Sequence, residues 1–175
     1  MKDFEYYIGE NEVKLRIPMF SNSGSGNANC SMTHKFQHAT AFMQWSLTKQ
    51  SPDMNLARAL FEDARRRFEY ASGSKISEKS AKYIYEDVYD ALREAIDALL
   101  ALHGFKSYSH AAAISFLAKL GFPPGEMESL DRMRKRRNGM KYYGKNCSIP
   151  QVKLSIEFAR VMLNKLVAAQ RGKNK

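Results

Sequence analysis

The sequence predicts an all-α fold, an up-and-down antiparallel bundle of four to five helices over residues 51–175, preceded by a poorly ordered N-terminal extension over residues 1–50. Three observations predict it. Apolar residues recur at intervals of three and four from Leu56 to Leu166, Ser, Pro and Gly punctuate that stretch where helices start and stop, and the links between segments are short enough to make successive helices antiparallel neighbours. A chain of 175 residues supplies one core of ordinary size and is too short to pack two comfortably.

The extension has a different texture. Phe4 to Ile8 and Val13 to Ile17 are short aromatic or alternating runs around Gly9-Glu10-Asn11-Glu12, a pattern that suits a small hairpin. Ser21-Asn22-Ser23-Gly24-Ser25-Gly26-Asn27 has the composition of a flexible linker. Met32, Phe36, Ala39, Met43 and Leu47 then recur at helical spacing and predict a helix that docks on the bundle or on a partner.

Helix one starts at the N-cap Ser51, with Pro52 at its first position and Asp53 complementing the dipole. Its stripe reads Leu56, Leu60, Ala64, Phe68, Ala71, and Gly73 lies just past its end. Helix two is capped by Ser77, carries Ala81, Ile84, Val88, Leu92, Ala95, Leu99 and Leu102, and stops at Gly104. Helix three is short: it begins near Ser109, carries Ala113, Phe116, Leu117 and Leu120, and ends at Gly121 before Pro123-Pro124. Helix four runs from about Gly125 towards Tyr143 with Gly144 at its end. Helix five runs from Ser148 to about Ala169 on the stripe Val152, Ile156, Ala159, Leu163, Leu166.

The composition is that of a folded protein with a basic balance. Apolar residues make up 44% and aromatic residues 11%, and 28 basic against 18 acidic residues leave a formal charge of +10. That field attracts polyanions, nucleic acid first among them. Cys30 and Cys147 form no Cys-x-x-Cys pair and suggest neither a disulfide framework nor a zinc site. The opening Met1-Lys2-Asp3-Phe4-Glu5 is unlike a signal peptide, and the most apolar window, Ala91 to Leu102, is broken by Arg93, Glu94 and Asp97. A cytoplasmic protein that spans no membrane is expected. No Gly-rich phosphate loop, Ser-His-Asp order or supported carboxylate pair points to a cofactor, and none is expected.

Helix four holds the chemistry. Arg132, Arg134, Lys135, Arg136, Arg137, Lys141 and Lys145 place seven cations within fourteen residues, towards its end and just past it. At about 100° per residue, Met127, Leu130 and Met133 define an apolar face, and its continuation places Arg137 near the centre, with Arg134 and Lys141 close by and Asn138 at its edge. A buried guanidinium needs a partner. Either it lies in a polar cleft, at a dimer seam or against a phosphate, or it is a structural residue satisfied by Glu86, Asp87 or Asp90 on helix two.

The run Arg137-Asn138-Gly139-Met140-Lys141-Tyr142-Tyr143-Gly144, near the end of a penultimate bundle helix, resembles the signature of the HEPN (higher eukaryote and prokaryote nucleotide-binding) superfamily. That signature is an Arg, usually followed by a polar residue, then a His four to six residues on, with a Tyr often nearby. The resemblance covers roughly residues 51–170 in helix order. It implies a dimerising helical bundle, with Arg137, Asn138 and Tyr142 at the motif positions and Arg134, Arg136, Lys141, Tyr143 and Lys145 placed to contact RNA. Active relatives are metal-independent ribonucleases in which the His moves a proton and the Arg steadies the phosphate. This chain has Tyr142 or Tyr143 where the His belongs, and a phenol with a pKa near 10 is a poor base at neutral pH.

The expectation is therefore a homodimeric HEPN-like domain that binds RNA or another phosphate-bearing partner without cleaving it. The alternatives are a metal-independent RNA endonuclease of a toxin–antitoxin or defence system, neutralised by a nucleotidyltransferase-like partner protein as the resemblance implies, and a plain protein-interaction module. Among the histidines, His103 and His110 bracket the link between helices two and three, where a substitute base is conceivable; the simpler reading has His103 interacting with the dipole at a helix C-terminus and His110 partly exposed in a first turn. His34 and His38 lack a third metal ligand. Tyr83, Tyr85 and Tyr89 on helix two suit core or interface positions better than base stacking.

Overall fold

The computed structural model describes residues 47–172; the hairpin, the linker, His34 and His38 and all but the last residue of the docking helix lie outside the described residues. Within them run β1 (Leu47–Lys49), α1 (Met54–Gly73), α2 (Ala81–Leu102), β2 (Phe105–Ser107), α3 (His110–Phe116) with a 3₁₀ turn at Leu117–Leu120, α4 (Pro124–Tyr143) and α5 (Ile149–Gly172). This is the all-α bundle that the stripes and punctuation predict, with one two-stranded antiparallel sheet added.

That sheet corrects the N-terminal reading. Leu47, expected to close a helix, opens β1 and pairs with Ser107, followed by Thr48 with Lys106 and Lys49 with Phe105. Pairing with β2 satisfies the backbone while the Leu47 side chain still reaches the core, so the period of 3.6 does not extend this far.

Helix α1 starts two residues later than Ser51. Asp53 is its N-cap, in extended conformation, accepting a 2.8 Å hydrogen bond from the Leu56 N–H. The Asp53 N–H donates to Ala101 O on α2 at 3.0 Å, which holds Ser51-Pro52 outside the helix. The buried stripe is Ala57, Phe61, Ala64, Phe68 and Ala71, and Leu56 is 43% exposed. The expected stripe took three consecutive steps of four from Leu56, each of which drifts about 40° around the helix. Alternating four and three, as in the observed stripe, keeps one face on a neighbour.

Helix α2 is the centre of the bundle, touching α1, α3, α4, α5 and β2. Its predicted stripe is buried in full, and Tyr85, Tyr89, Ala91, Ile96, Ala98, Leu100 and Ala101 are buried besides. A helix apolar over most of its circumference belongs inside. Ser80, the residue before its first turn, makes no capping bond of its own, and the expected Ser77 supplies the cap: its Oγ accepts from the Ser80 N–H at 3.2 Å, its carbonyl accepts from the N–H groups of Ser80 and Ala81, and its N–H donates to Ser80 Oγ at 2.9 Å. Helices α1 and α2 run antiparallel, Asp53 meeting Ala101 at one end while Arg67 pairs with Asp87 and Glu94 farther along.

Gly104 ends α2 at φ +73, and a Cβ there would stand 2.7 Å from Gln50 O. Ser109 caps α3, accepting from Ala112 N, and Gly121 ends the 3₁₀ turn in the left-handed region. Pro124 occupies the first turn of α4, whose C-cap Gly144 has φ 63 and returns its N–H to Gly139 O. Helix α5 buries Val152, Ile156, Ala159, Met162 and Leu166. Its Lys165 pairs with Glu126 of α4, and its Arg160 lies 5.5 Å from the ring centroid of Phe68. Among the described residues no helix is long and apolar enough to cross a membrane.

Candidate functional site

The buried face of α4 reads Met127, Leu130, Met133, Arg137, Met140, with Gly139 also enclosed. Arg137 thus sits inside the apolar face, as the helical progression requires, and is only 8% exposed. Past it the buried face turns towards Met140 and Gly139, which leaves Lys141 on the outside.

The partner of Arg137 is Asp90 of α2. Arg137 Nη2 lies 3.2 Å from one Asp90 carboxylate oxygen and 3.3 Å from the other. One nitrogen spans both oxygens in place of the two-nitrogen fork that gives arginine–carboxylate pairs their strength. Nε is buried with no hydrogen-bond partner. Asp90 is the better hydrated member, its side chain 31% exposed against 10% for Arg137. Of the three acids named from sequence, Asp90 takes the role, Asp87 pairs with Arg67, and Glu86 keeps one buried oxygen unpartnered.

The other cations of α4 fall into two groups. Arg134 and Lys135 share Asp131, at 2.7 and 2.8 Å, and Arg132 lies 3.8 Å from Glu128. Burial opposes ionisation of Asp131, but the hydrogen bonds from Lys135 and Arg134 win and hold its pKa below the usual value. Arg136, Lys141 and Lys145 are exposed, and no carboxylate pairs with them among the described residues. Lys145 folds back over Gly139, its Cδ 3.0 Å from where a Cβ of that residue would stand. Tyr142 and Tyr143 beside them are 64% and 78% exposed. The last turns of α4 and the residue after Gly144 therefore carry three exposed, unpaired cations and two uncovered aromatic rings.

The three motif positions do not converge. Arg137 faces α2, Asn138 is half-buried at the edge of that seam, and Tyr142, about 140° around the helix from Arg137, points outward.

The charge of Arg137 is felt by an imidazole on another helix. His110 opens α3, and its Nδ1 is 3.0 Å from the Tyr89 hydroxyl, the two rings stacked at 5.9 Å. Burial first, then the charges of Arg93 and Arg137, push the His110 pKa down to about 4, Asp90 opposing them and Arg134 adding to them. Burial likewise raises the Tyr89 hydroxyl well above its usual value, so it stays protonated. Arg93 braces the turn before α3: it pairs with Asp97 at 2.8 Å and donates to the carbonyls of Ser107 and Ser109. Burial raises the Asp97 pKa against the pull of that arginine.

His103 serves the core, its ring edge-on to Phe116 at 5.7 Å. Of the three tyrosines on α2, Tyr85 and Tyr89 are buried and Tyr83 is exposed. Burial pushes the Tyr85 hydroxyl up to about 12, against the charge of Arg136. Cys147 is a free, buried thiol, its pKa raised by burial. Among the described residues no group of His, Cys, Asp and Glu is arranged to hold a metal ion.

No protein-family model matches the chain, and no curated protein is significantly similar to it.

Proposed function

We propose that the chain is a HEPN-like helical domain that binds RNA through the C-terminal end of α4 and acts by binding, without cleaving. The observation that carries this reading is the pairing pattern of the α4 cations. Arg132, Arg134, Lys135 and Arg137 are neutralised by neighbouring acids, while Arg136, Lys141 and Lys145 are exposed and unpaired beside the open rings of Tyr142 and Tyr143. Unpaired cations displace counterions from a phosphate backbone, and exposed phenol rings offer faces on which bases stack. Arg137, committed to Asp90, positions α4 on α2 in this reading. The Tyr142–Tyr143 pair stands where catalysis would need an imidazole. The same reading includes a homodimer.

Salt-dependent binding of a single-stranded RNA tests it. Replacing Arg136, Lys141 and Lys145 together with Ala lowers affinity at least about tenfold and flattens the log K against log salt slope by about 2, at about 0.7 per phosphate contact. Removing three cations from α1, at Arg58, Arg65 and Arg66, serves as the charge-matched control. Equal loss in both variants rejects a local interface. Metal-independent RNA cleavage by the wild type that disappears in Arg137→Ala replaces this reading with the endonuclease.

A further inference from the structure

Tyr83 is an open ring on a row of α2 whose next members, Glu86 and Asp90, are half-buried. It precedes Asp90 by about 20° less than two full turns, so it lies on the side through which α2 meets α4, about 10 Å nearer the start of the helix. Phe116, at the end of α3, packs edge-on against His103 at the C-terminal end of α2. Helix α4 starts beyond it and reaches Asp90 only with Arg137, in its second half, at 3.2 Å, so α2 and α4 run antiparallel. Past that contact both elements continue in the same direction for about two turns, and the seam between them opens. Gly144, at φ 63, ends α4 and folds the chain back, the Lys145 N–H donating to Gly139 O at 3.2 Å, and Tyr83 is left 65% exposed. Lys141, one turn beyond Arg137 on nearly the same row, is exposed across this open end.

The turn that leads into α2 adds charge. Between Lys75 and Tyr83 three lysines outnumber one acid, Glu78. Lys79 is exposed and Lys82 half-buried, and neither pairs with a carboxylate among the described residues; Asp87 and Asp90 farther along are taken by Arg67 and Arg137. Cations and an open ring thus stand on α2 beside those at the tip of α4.

We propose that the RNA site at the tip of α4 continues onto the start of α2, so that one unpaired strand crosses the open end of the α2–α4 seam with a base stacked on Tyr83 and its phosphates running from Lys141 to Lys79 and Lys82. This rests on the RNA reading of the α4 tip and names the form of RNA, a single strand of several nucleotides. Packed helix axes stand about 8–10 Å apart, a gap that about three phosphates span at about 3.4 Å each. Charge attracts single strands and duplexes alike, but a phenol face stacks only on a base that is free of its own stack. Glu86, one turn farther in, keeps an oxygen buried and opposes a phosphate there, which holds the backbone of the strand on the outer, lysine side.

Fluorescence anisotropy with labelled oligouridylates of about four and about ten nucleotides tests it. The wild type binds the longer strand at least about fivefold tighter. Tyr83→Ala weakens the longer strand by about fivefold or more and the shorter one by less than about twofold, while Tyr83→Phe, which keeps the ring, binds as the wild type does. Replacing Lys79 and Lys82 together with Ala flattens the log K against log salt slope for the longer strand by about 1.4, at about 0.7 per phosphate contact. Tyr108→Ala removes a ring that is 76% exposed beyond the other end of α2 and leaves both affinities unchanged. A fully paired RNA hairpin shows no difference between the wild type and Tyr83→Ala. If Tyr83→Ala binds the longer strand as the wild type does, or Tyr108→Ala loses as much, the extension onto α2 is overturned while the α4 site stands. If the wild type binds neither strand, both readings fall.

Discussion

Removing either member of the Arg137–Asp90 pair costs stability, and the structure orders the two costs. Asp90→Ala strands a guanidinium whose side chain is 10% exposed and whose Nε is already without an acceptor. Breaking a buried pair in this way costs about 3–5 kcal/mol, and the single-nitrogen contact at 3.2–3.3 Å puts this case near about 3. Arg137→Met leaves a carboxylate that is 31% exposed and can rehydrate, while a side chain of similar length keeps the contacts around Met133 and Met140, so the loss is about 1–1.5 kcal/mol. The double variant removes both charges and loses less than the sum by about 1.5–2 kcal/mol, which is the coupling between them. Urea unfolding followed by circular dichroism at 222 nm, in phosphate-free buffer, measures all four corners of the cycle. About 3 kcal/mol also lowers the melting temperature by about 10 °C in a domain of this size. If Asp90→Ala costs no more than Arg137→Met, or the coupling is zero, Arg137 is hydrated in solution and the buried-pair argument fails.

Two other outcomes follow from single sites. His110 has a folded pKa of about 4 against an ordinary 6.5, so between those values the unfolded chain holds the proton and the folded chain does not. Stability therefore rises with pH from about 4 to about 6.5 and is flat above, by about 1–2 kcal/mol once solvent screening of the half-exposed ring is allowed for. Comparing urea midpoints at the two pH values isolates this term as the difference between wild type and His110→Gln. Gly104→Ala forces a Cβ to 2.7 Å from Gln50 O at φ +73, whereas Gly121→Ala at φ +78 meets nothing within 4 Å. The first costs about 2–4 kcal/mol and the second about 1, both read from thermal melts.

What sequence alone determined about this protein is its helix order and, for most helices, which face turns inward. Those features are local: a stripe at three-four spacing and a Gly in the left-handed region depend on neighbours within a turn or two. The predicted stripe of α2, the helix ends at Gly104, Gly121 and Gly144, and the odd placement of Arg137 on an apolar face were all legible for that reason. The cap of α1 was less so, because Ser51 and Asp53 are both good N-cap residues until a long-range bond, Asp53 N to Ala101 O, selects one. Leu47 failed for the same reason, since its strand exists only because β2, far along the chain, pairs with it.

Only the tertiary structure decided what Arg137 touches. Three acids on α2 were open to it, and the antiparallel packing of two helices brought Asp90 alone within reach of its Nη2. It also moved the chemical interest of the region. The run after Arg137 placed Tyr142 and Tyr143 outside, whereas the imidazole that feels its charge is His110 of α3, which sequence read as a partly exposed first-turn residue. Periodicity fixes direction around one helix axis, and the distance between side chains on different helices is a property of how those axes cross.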